Sequence, residues 1–307
     1  MDFLATRPAL QVFKVKPEHL QLPVPLYRMQ GLREIAFTEE YGYRPLKAVR
    51  DQTYNNLAKL LATCPAGQIT KLSVVFTSLH QIFEFLTHKG EPLRLNDLRM
   101  TQSFIKLDAF IIPHLRHLTC LHLLSMKNPS NSRNDDSDTS EDTNYECSGD
   151  LENAEHPIGS KMSDFWSVLQ LAGIYLKELR VDDINAGLLG YLTHYAGLIK
   201  LDINIISNSF ESKVSAGLFF AQPLTSHVGT LEELVIGTRF DGPWRIGEHN
   251  ISAISRCTRL KRLSVCVSEV DLPKACSSSG NSEVEMAQNQ PNIVVRPHVH
   301  PFEALLV

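Results

Sequence analysis

Residues 176–181 read LKELRV, an L-x-x-L-x-L frame with valine in the last slot. The frame returns along the whole chain: LQVFKV (10–15), LREIAF (32–37), ITKLSV (69–74), LTCLHL (118–123), LIKLDI (198–203), LEELVI (231–236) and LKRLSV (260–265). A blurred copy, PLRLNDL (92–98), fits if Leu93 takes the place of Leu179 and Leu95 that of Val181. Self-similarity of this kind is the mark of stacked repeats, in which each unit buries its apolar side against the next. The nine strand-like units predict an α/β fold: an irregular leucine-rich-repeat solenoid of strand-turn-helix units around a curved parallel sheet.

Between the strands the apolar spacing becomes helical. Tyr54 to Leu61 carries apolar residues three and four apart and is stopped by Pro65 and Gly67. Thr77 or Ser78 is placed to cap a helix with Leu79, Ile82, Phe83 and Leu86 on one face. Thr101 and Ser103 open another with Phe104, Leu107, Phe110 and Ile111 inward and Pro113 after it, and Ser163-Asp164 one that carries Phe165, Trp166, Leu169 and Leu171. Asp183 or Asn185 starts a helix with Leu188, Leu189, Leu192 and Tyr195. A further helix follows Ser212 through Val214, Leu218 and Phe219 to Pro223, and His249-Asn250 caps the last, with Ile251 and Ile254 inward. Trp166 and Trp244 read as a helix-core residue and a loop plug.

The repeats divide the chain into an N-terminal set (1–126), an insertion (127–162), a C-terminal set (163–272) and a loose tail (273–307). The insertion carries nine acids against Lys127, Arg133 and Lys161, a local charge of −6 in a chain of net charge −4. Short of aliphatics and rich in Asp, Ser, Asn and Thr, it is expected to be disordered. Ser132 lies three residues before Asp135 and Thr139 three before Asp142, the spacing acidophilic kinases favour, so both are candidate phosphorylation sites. In the tail, IVVRPHVHPFEALLV (293–307) is apolar enough to dock as a last edge strand. No polar capping unit precedes Leu10, although the end of a solenoid exposes a whole apolar side, so an upstream covering segment or a truncated chain is expected.

Outside the insertion the net charge is about +2, which gives no nucleic-acid footprint. Six scattered cysteines without a C-x-x-C pair suit a reducing compartment. With no basic leader, and no apolar run near the ~18–20 residues that span a bilayer, the expectation is a cytoplasmic or nuclear protein without membrane contact. The sequon Asn250-Ile251-Ser252 is then expected to stay unused.

With the repeats laid out, the chain resembles the leucine-rich-repeat (RNI-like) region of fungal F-box proteins, especially the divergent basidiomycete set. LTSHVGTLEELVIG (224–237), DGPWRIGEHNISAISRCTRLKRLSV (241–265) and LRLNDLRM (93–100) carry the resemblance. It implies a non-enzymatic substrate receptor of a Skp-cullin-F-box ubiquitin ligase, in which the solenoid grips a protein substrate and an F-box grips a Skp-type adaptor. This chain departs from the pattern in having no L-P-x-E-I/L run. Leu22-Pro23-Val24-Pro25-Leu26-Tyr27 is the nearest fragment and lies between two repeats. The Asn or Cys ladder of regular repeats is also missing, so the backbone turns must be satisfied by other groups. The second reading is a free-standing leucine-rich-repeat inhibitor or GTPase regulator.

In L-x-x-L-x-L the two later apolar residues face the core and their neighbours face outward. The outward set, expected to line the partner-binding concave face, includes Lys14, Lys16, Glu34, Lys71, Arg94, Asn96 and His122 in the first units. It continues with Glu178, Arg180, Asp182, Lys200, Asp202, Asn204, Glu233, Arg262 and Ser264. Arg94, His122, Glu178, Arg180, Asp182, Lys200 and Asp202 are the leading candidates, because guanidinium and carboxylate groups on adjacent strands orient a peptide by charge-assisted hydrogen bonds. His114, His117, Cys120 and His122 span a turn and a strand and need not converge on a metal, and His298-Val299-His300 lies in the tail. Without a phosphate loop, a G-x-S-x-G elbow or an H-E-x-x-H helix, no catalytic residue, metal or cofactor is expected.

Overall fold

The computed structural model describes residues 10–16, 31–37, 47–65, 67–75, 79–89, 92–101, 111–125, 160–206, 209–267 and 292–296. Nine short strands carry the repeated frame, β1 (Val12–Val15), β2 (Glu34–Phe37), β3 (Lys71–Val75), β4 (Asp97–Thr101), β5 (Cys120–Leu124), β6 (Glu178–Val181), β7 (Lys200–Ile205), β8 (Glu233–Thr238) and β9 (Arg262–Cys266), and a tenth outside the frame, β10 (Asn292–Arg296), follows them. They form one open sheet in chain order, every neighbouring pair parallel. A parallel neighbour requires a crossover. Helices supply it at most steps: α1 (Lys47–Leu61), α2 (Leu79–Lys89), α3 (Ile112–Leu115), α4 (Ser160–Leu171), α5 (Ala186–Thr193), α6 (Phe210–Ala221), α7 (Pro223–Ser226) and α8 (Glu248–Ser255). The result is a solenoid-like α/β architecture of alternating strand and helix.

One backbone contact recurs at each entry into β2 to β9. The carbonyl two residues before a strand's first core residue accepts two consecutive N–H groups from the next unit. Thr119 O, for example, takes Lys177 N at 2.8 Å and Glu178 N at 2.9 Å, and Lys177 O takes Ile199 N at 2.8 Å and Lys200 N at 3.0 Å. The same arrangement runs from Gln11 O to Glu232 O. It holds the register, so equivalent residues fall in rows. Leu72, Leu98, Leu121, Leu179, Leu201, Leu234 and Leu263 make one buried row, and Val74, Met100, Leu123, Val181, Ile203, Ile236 and Val265 the next. Parallel strands covered on both faces read as continuous apolar runs. Here the strands alternate, and the helices make one layer on the buried side, where α1 packs on α2 and α4 on α5.

Aromatic side chains satisfy backbone groups at the turns. Leu176 N donates to Tyr191 Oη (3.2 Å), whose own hydroxyl donates to Ile174 O (2.8 Å), and Tyr195 Oη donates to Leu176 O (3.2 Å). Leu93 N and Leu198 N donate to Nδ1 of His114 (2.9 Å) and His227 (3.4 Å). An acceptor at the turn is obligatory because a buried N–H left alone costs about 1–3 kcal/mol. Helix ends are similarly closed. Asn185 caps α5 by accepting from Leu188 N (3.0 Å). Gly173, at φ +66, ends α4 so that its own N–H reaches Gln170 O and Ile174 N reaches Leu169 O, each at 3.0 Å.

Several expectations are corrected. The fourth unit is not PLRLNDL: the strand starts at Asp97, and Leu98 pairs with Leu72 and Leu121. The frame there is Leu95-x-x-Leu98-x-Met100, five residues later than the sequence suggested, with methionine in the last slot. Pro113 stands in the first turn of helix α3, where its missing N–H is harmless, and the helix expected over Phe104, Leu107 and Phe110 lies outside the described residues. Helix α8 starts after Gly247, with Asn250 Oδ1 accepting from Gly247 N at 3.0 Å. Ile251 therefore points out (48% exposed) while Ile254 is buried. Asn250 is fully buried and its amide donates to Arg245 O (2.8 Å), so the sequon is closed to modification. Leu171, Val214 and Leu218 also face solvent, and Ser215, Ala216, Phe219 and Phe220 supply the inner face of α6. Helix α4 begins at Ser160, inside the segment assigned to the insertion, whereas β10 pairs with β9 as the edge strand that the apolar stretch of the tail led one to expect.

Truncating the buried rows should open cavities. Leu179→Ala or Leu234→Ala is expected to cost about 2–5 kcal/mol in urea denaturation; a loss well under 1 kcal/mol would contradict the assigned strand faces. A second expectation concerns acid. Burial pushes His114 and His227 down to about 4 from 6.5. Both are neutral in the fold, so their contribution is full above 6.5 and is lost as pH falls from 6.5 towards 4, by up to about 3 kcal/mol each. Urea midpoints at about pH 7.5 and 5 should differ more for the wild type than for a His114→Gln/His227→Gln variant, which keeps an acceptor but does not titrate.

Candidate functional site

The alternation that buries leucine and valine presents two outward rows on the face opposite the helices. In chain order the first row runs Glu34, Lys71, Asp97, Cys120, Glu178, Lys200, Glu233, Arg262. The second runs Lys14, Ala36, Ser73, Arg99, His122, Arg180, Asp202, Val235, Ser264. Successive members stand about 4.8 Å apart, one strand spacing. Charge alternates in sign along much of the first row, and opposite charges on neighbouring strands attract.

The pairs form. Arg180 Nε meets Asp202 Oδ2 at 3.1 Å, Lys200 Nζ meets Glu178 Oε1 at 3.1 Å, and Arg262 meets Glu233. These side chains are mostly a third to a half exposed. Each pair is therefore worth at most about 1 kcal/mol and is readily exchanged. Asp97 differs: only 6% exposed, it accepts from Arg99 Nε at 3.1 Å and Nη2 at 2.9 Å, a bidentate contact. That hydrogen bond raises the Arg99 pKa, so the guanidinium is fixed in charge and in place.

At the middle of the face, between Arg99 and Arg180, stands His122. Its Nε2 lies 3.5 Å from Cys120 Sγ, which is 3.9 Å from Glu178 Oε2. Burial is the largest cause lowering the His122 pKa, followed by Arg99, with Arg180 adding to it and Asp97 and Asp202 opposing. Burial, with Asp97 and Glu178 nearby, pushes the Cys120 thiol up to about 12, so Cys120 is a protonated thiol and not a nucleophile. His114 belongs to the core, with Nδ1 on Leu93 N and its ring stacked on Phe83.

Of the leading candidates, His122, Glu178, Arg180, Lys200 and Asp202 share this face. Arg94 does not: it precedes β4, and its Cδ lies beside the Gly67 turn. Arg99 holds the position assigned to Arg94, because the fourth unit is shifted by five residues. Asp182 is buried and structural: its carboxylate accepts from the backbone N–H of Ser125, which has φ +52, and from Ser125 Oγ at 3.4 Å. Burial raises its pKa. Asn204 lies beside Gly237, where a Cβ would stand 3.1 Å from Asn204 Oδ1, so glycine leaves room for the amide. Ser132, Thr139, His298 and His300 lie outside the described residues. Asp97 and Arg99 were missed, and the signal was present: Met100 is a legitimate last-slot residue and shifts the frame onto them.

Among the described residues no helix is long and apolar enough to cross a membrane. No protein-family model, no curated protein and no solved structure matches the chain.

The two central arginines should differ on truncation. Arg99→Ala strands a buried carboxylate and is expected to cost about 1–3 kcal/mol by thermal or urea unfolding, whereas Arg180→Ala should cost under about 1 kcal/mol. Equal losses would contradict the different burial of Asp97 and Asp202.

Proposed function

We propose that the chain is an irregular leucine-rich-repeat solenoid that acts as a non-enzymatic protein-interaction module, the substrate-recognition part of an F-box-type ubiquitin-ligase receptor. The observation that carries the reading is the open outward sheet face. Parallel sheets normally bury both faces, yet here half-exposed Arg180, Asp202, Lys200 and Glu178 cover one side and pair at 3.1 Å. Repeat proteins use such an extended face to hold other proteins. The pairs keep long side chains ordered in the free protein, and a partner that brings both charges can replace them at little cost.

The ubiquitin-ligase assignment rests on the sequence resemblance; the binding-module assignment rests on the face. They separate in one experiment: affinity purification of the chain from its own cells, beside an Arg180→Ala/Asp202→Ala variant. Recovery of a Skp-type adaptor and cullin with both proteins, and of a further protein with the wild type alone, is the expected outcome. A partner lost on the double substitution without adaptor or cullin would leave the binding module and remove the ligase reading. An unchanged set of partners would remove the face as the binding surface.

A further inference from the structure

The geometry points to the Arg99–His122–Arg180 row as a recognition site for a carboxylate in an acidic segment of the partner protein, with His122 taking up a proton as the acid docks. This deepens the interaction-module reading and rests on it. The three residues are in register on β4, β5 and β6, so the row spans about 10 Å, two strand spacings.

The carboxylates around the row are already engaged. Asp97 is sequestered beneath Arg99, which gives it Nε and Nη2; Asp202 is held by Arg180 Nε, and Glu178 by Lys200. A guanidinium carries five N–H donors in a rigid fork. Arg99 and Arg180 therefore keep donors beyond those used on Asp97 and Asp202. Free guanidinium donors therefore remain on both sides of His122, and a carboxylate above it can reach both arginines.

His122 makes the site more than two arginines. It faces Asp97 and Arg99 on β4, Cys120 on its own strand, Glu178 and Arg180 on β6, and Asp202 on β7. In the free protein it is half-buried between two arginines, and burial first and then their charges disfavour its charged form. A docked carboxylate reverses that balance by opposing the arginines and accepting from the imidazolium, so affinity rises as pH falls. With one proton taken up, the dependence is at most about tenfold per pH unit.

The test uses the full chain and a fluorescein-labelled hexaglutamate peptide, followed by fluorescence anisotropy at low salt at about pH 6 and 7.5, where glutamate stays ionised. The expected result is saturable binding, several-fold tighter at the lower pH. Arg180→Gln should weaken it about tenfold, as loss of one charge-assisted contact. His122→Gln should bind weakly at both values, and His122→Lys, a permanent cation, should bind about equally at both. Circular dichroism at each pH confirms that every variant is folded. Absent binding to the folded wild type at pH 6, equal affinity for Arg180→Gln, a preference for hexalysine, or displacement by inorganic phosphate at lower concentration than by unlabelled hexaglutamate would each overturn the carboxylate assignment. If that happens while Arg180→Ala/Asp202→Ala still loses its cellular partner, the interaction-module reading stands and only the acidic partner falls.

Discussion

A single backbone carbonyl accepting two consecutive N–H groups from the following unit is the contact on which the structure depends. Because it recurs from Gln11 to Glu232 at each strand entry, it fixes the register between units of quite different length. A slip of one residue would exchange the buried and outward rows along an entire strand. The intervals between strands can then vary, from the 18 residues between β6 and β7 to the 53 between β5 and β6, without disturbing the sheet. Stability of such an assembly is close to a sum of unit and neighbour terms, so each unit needs its own closed core and its own satisfied turn. The turn acceptors differ from unit to unit (His114, Tyr191, His227), but each meets a backbone N–H at the strand entry or just before it.

One-sided burial sets the electrostatics. The helix layer covers the leucine and valine rows, and the other face must carry groups that tolerate water. Long charged side chains do so, and the register brings opposite signs onto adjacent strands at Glu178 and Lys200, Arg180 and Asp202, and Glu233 and Arg262. Asp97 departs from this pattern. Its burial under Arg99 turns an exchangeable pair into a fixed one, and it lies at the step where β5 places His122 and the protonated Cys120. The middle of the face is thus held more rigidly than its flanks, where Ala36, Ser73, Val235 and Ser264 are small.

Much of this was legible in the sequence, because period-2 alternation and recurrence of the frame are direct consequences of strand geometry. The frames around Leu176, Leu198, Leu231 and Leu260 mapped onto β6 to β9 with the expected faces. The fourth unit was misread because Leu93 and Leu95 are both buried and mimic the frame in the wrong phase. Only the register against β3 and β5 separates them from Leu98 and Met100. Asp182 was misread for a different reason: alternation places a residue on a side of the strand but says nothing of what lies over its end, and Ser125 from the neighbouring unit covers it. The inner face of helix α6 was also misread. Val214 and Leu218 fit an apolar period, but small Ser215 and Ala216 allow the closer approach and take the inner face.

Site-specific photocrosslinking tests the central claim, that partners meet the outward sheet face and not the helix layer. A benzophenone side chain replaces Ser73, between Ala36 and Arg99 on the face, or Leu218, exposed on α6. Crosslinked adducts with a cellular protein from position 73 and none from position 218 are the predicted result. Adducts from position 218 alone would contradict the account and transfer the binding surface to the helices.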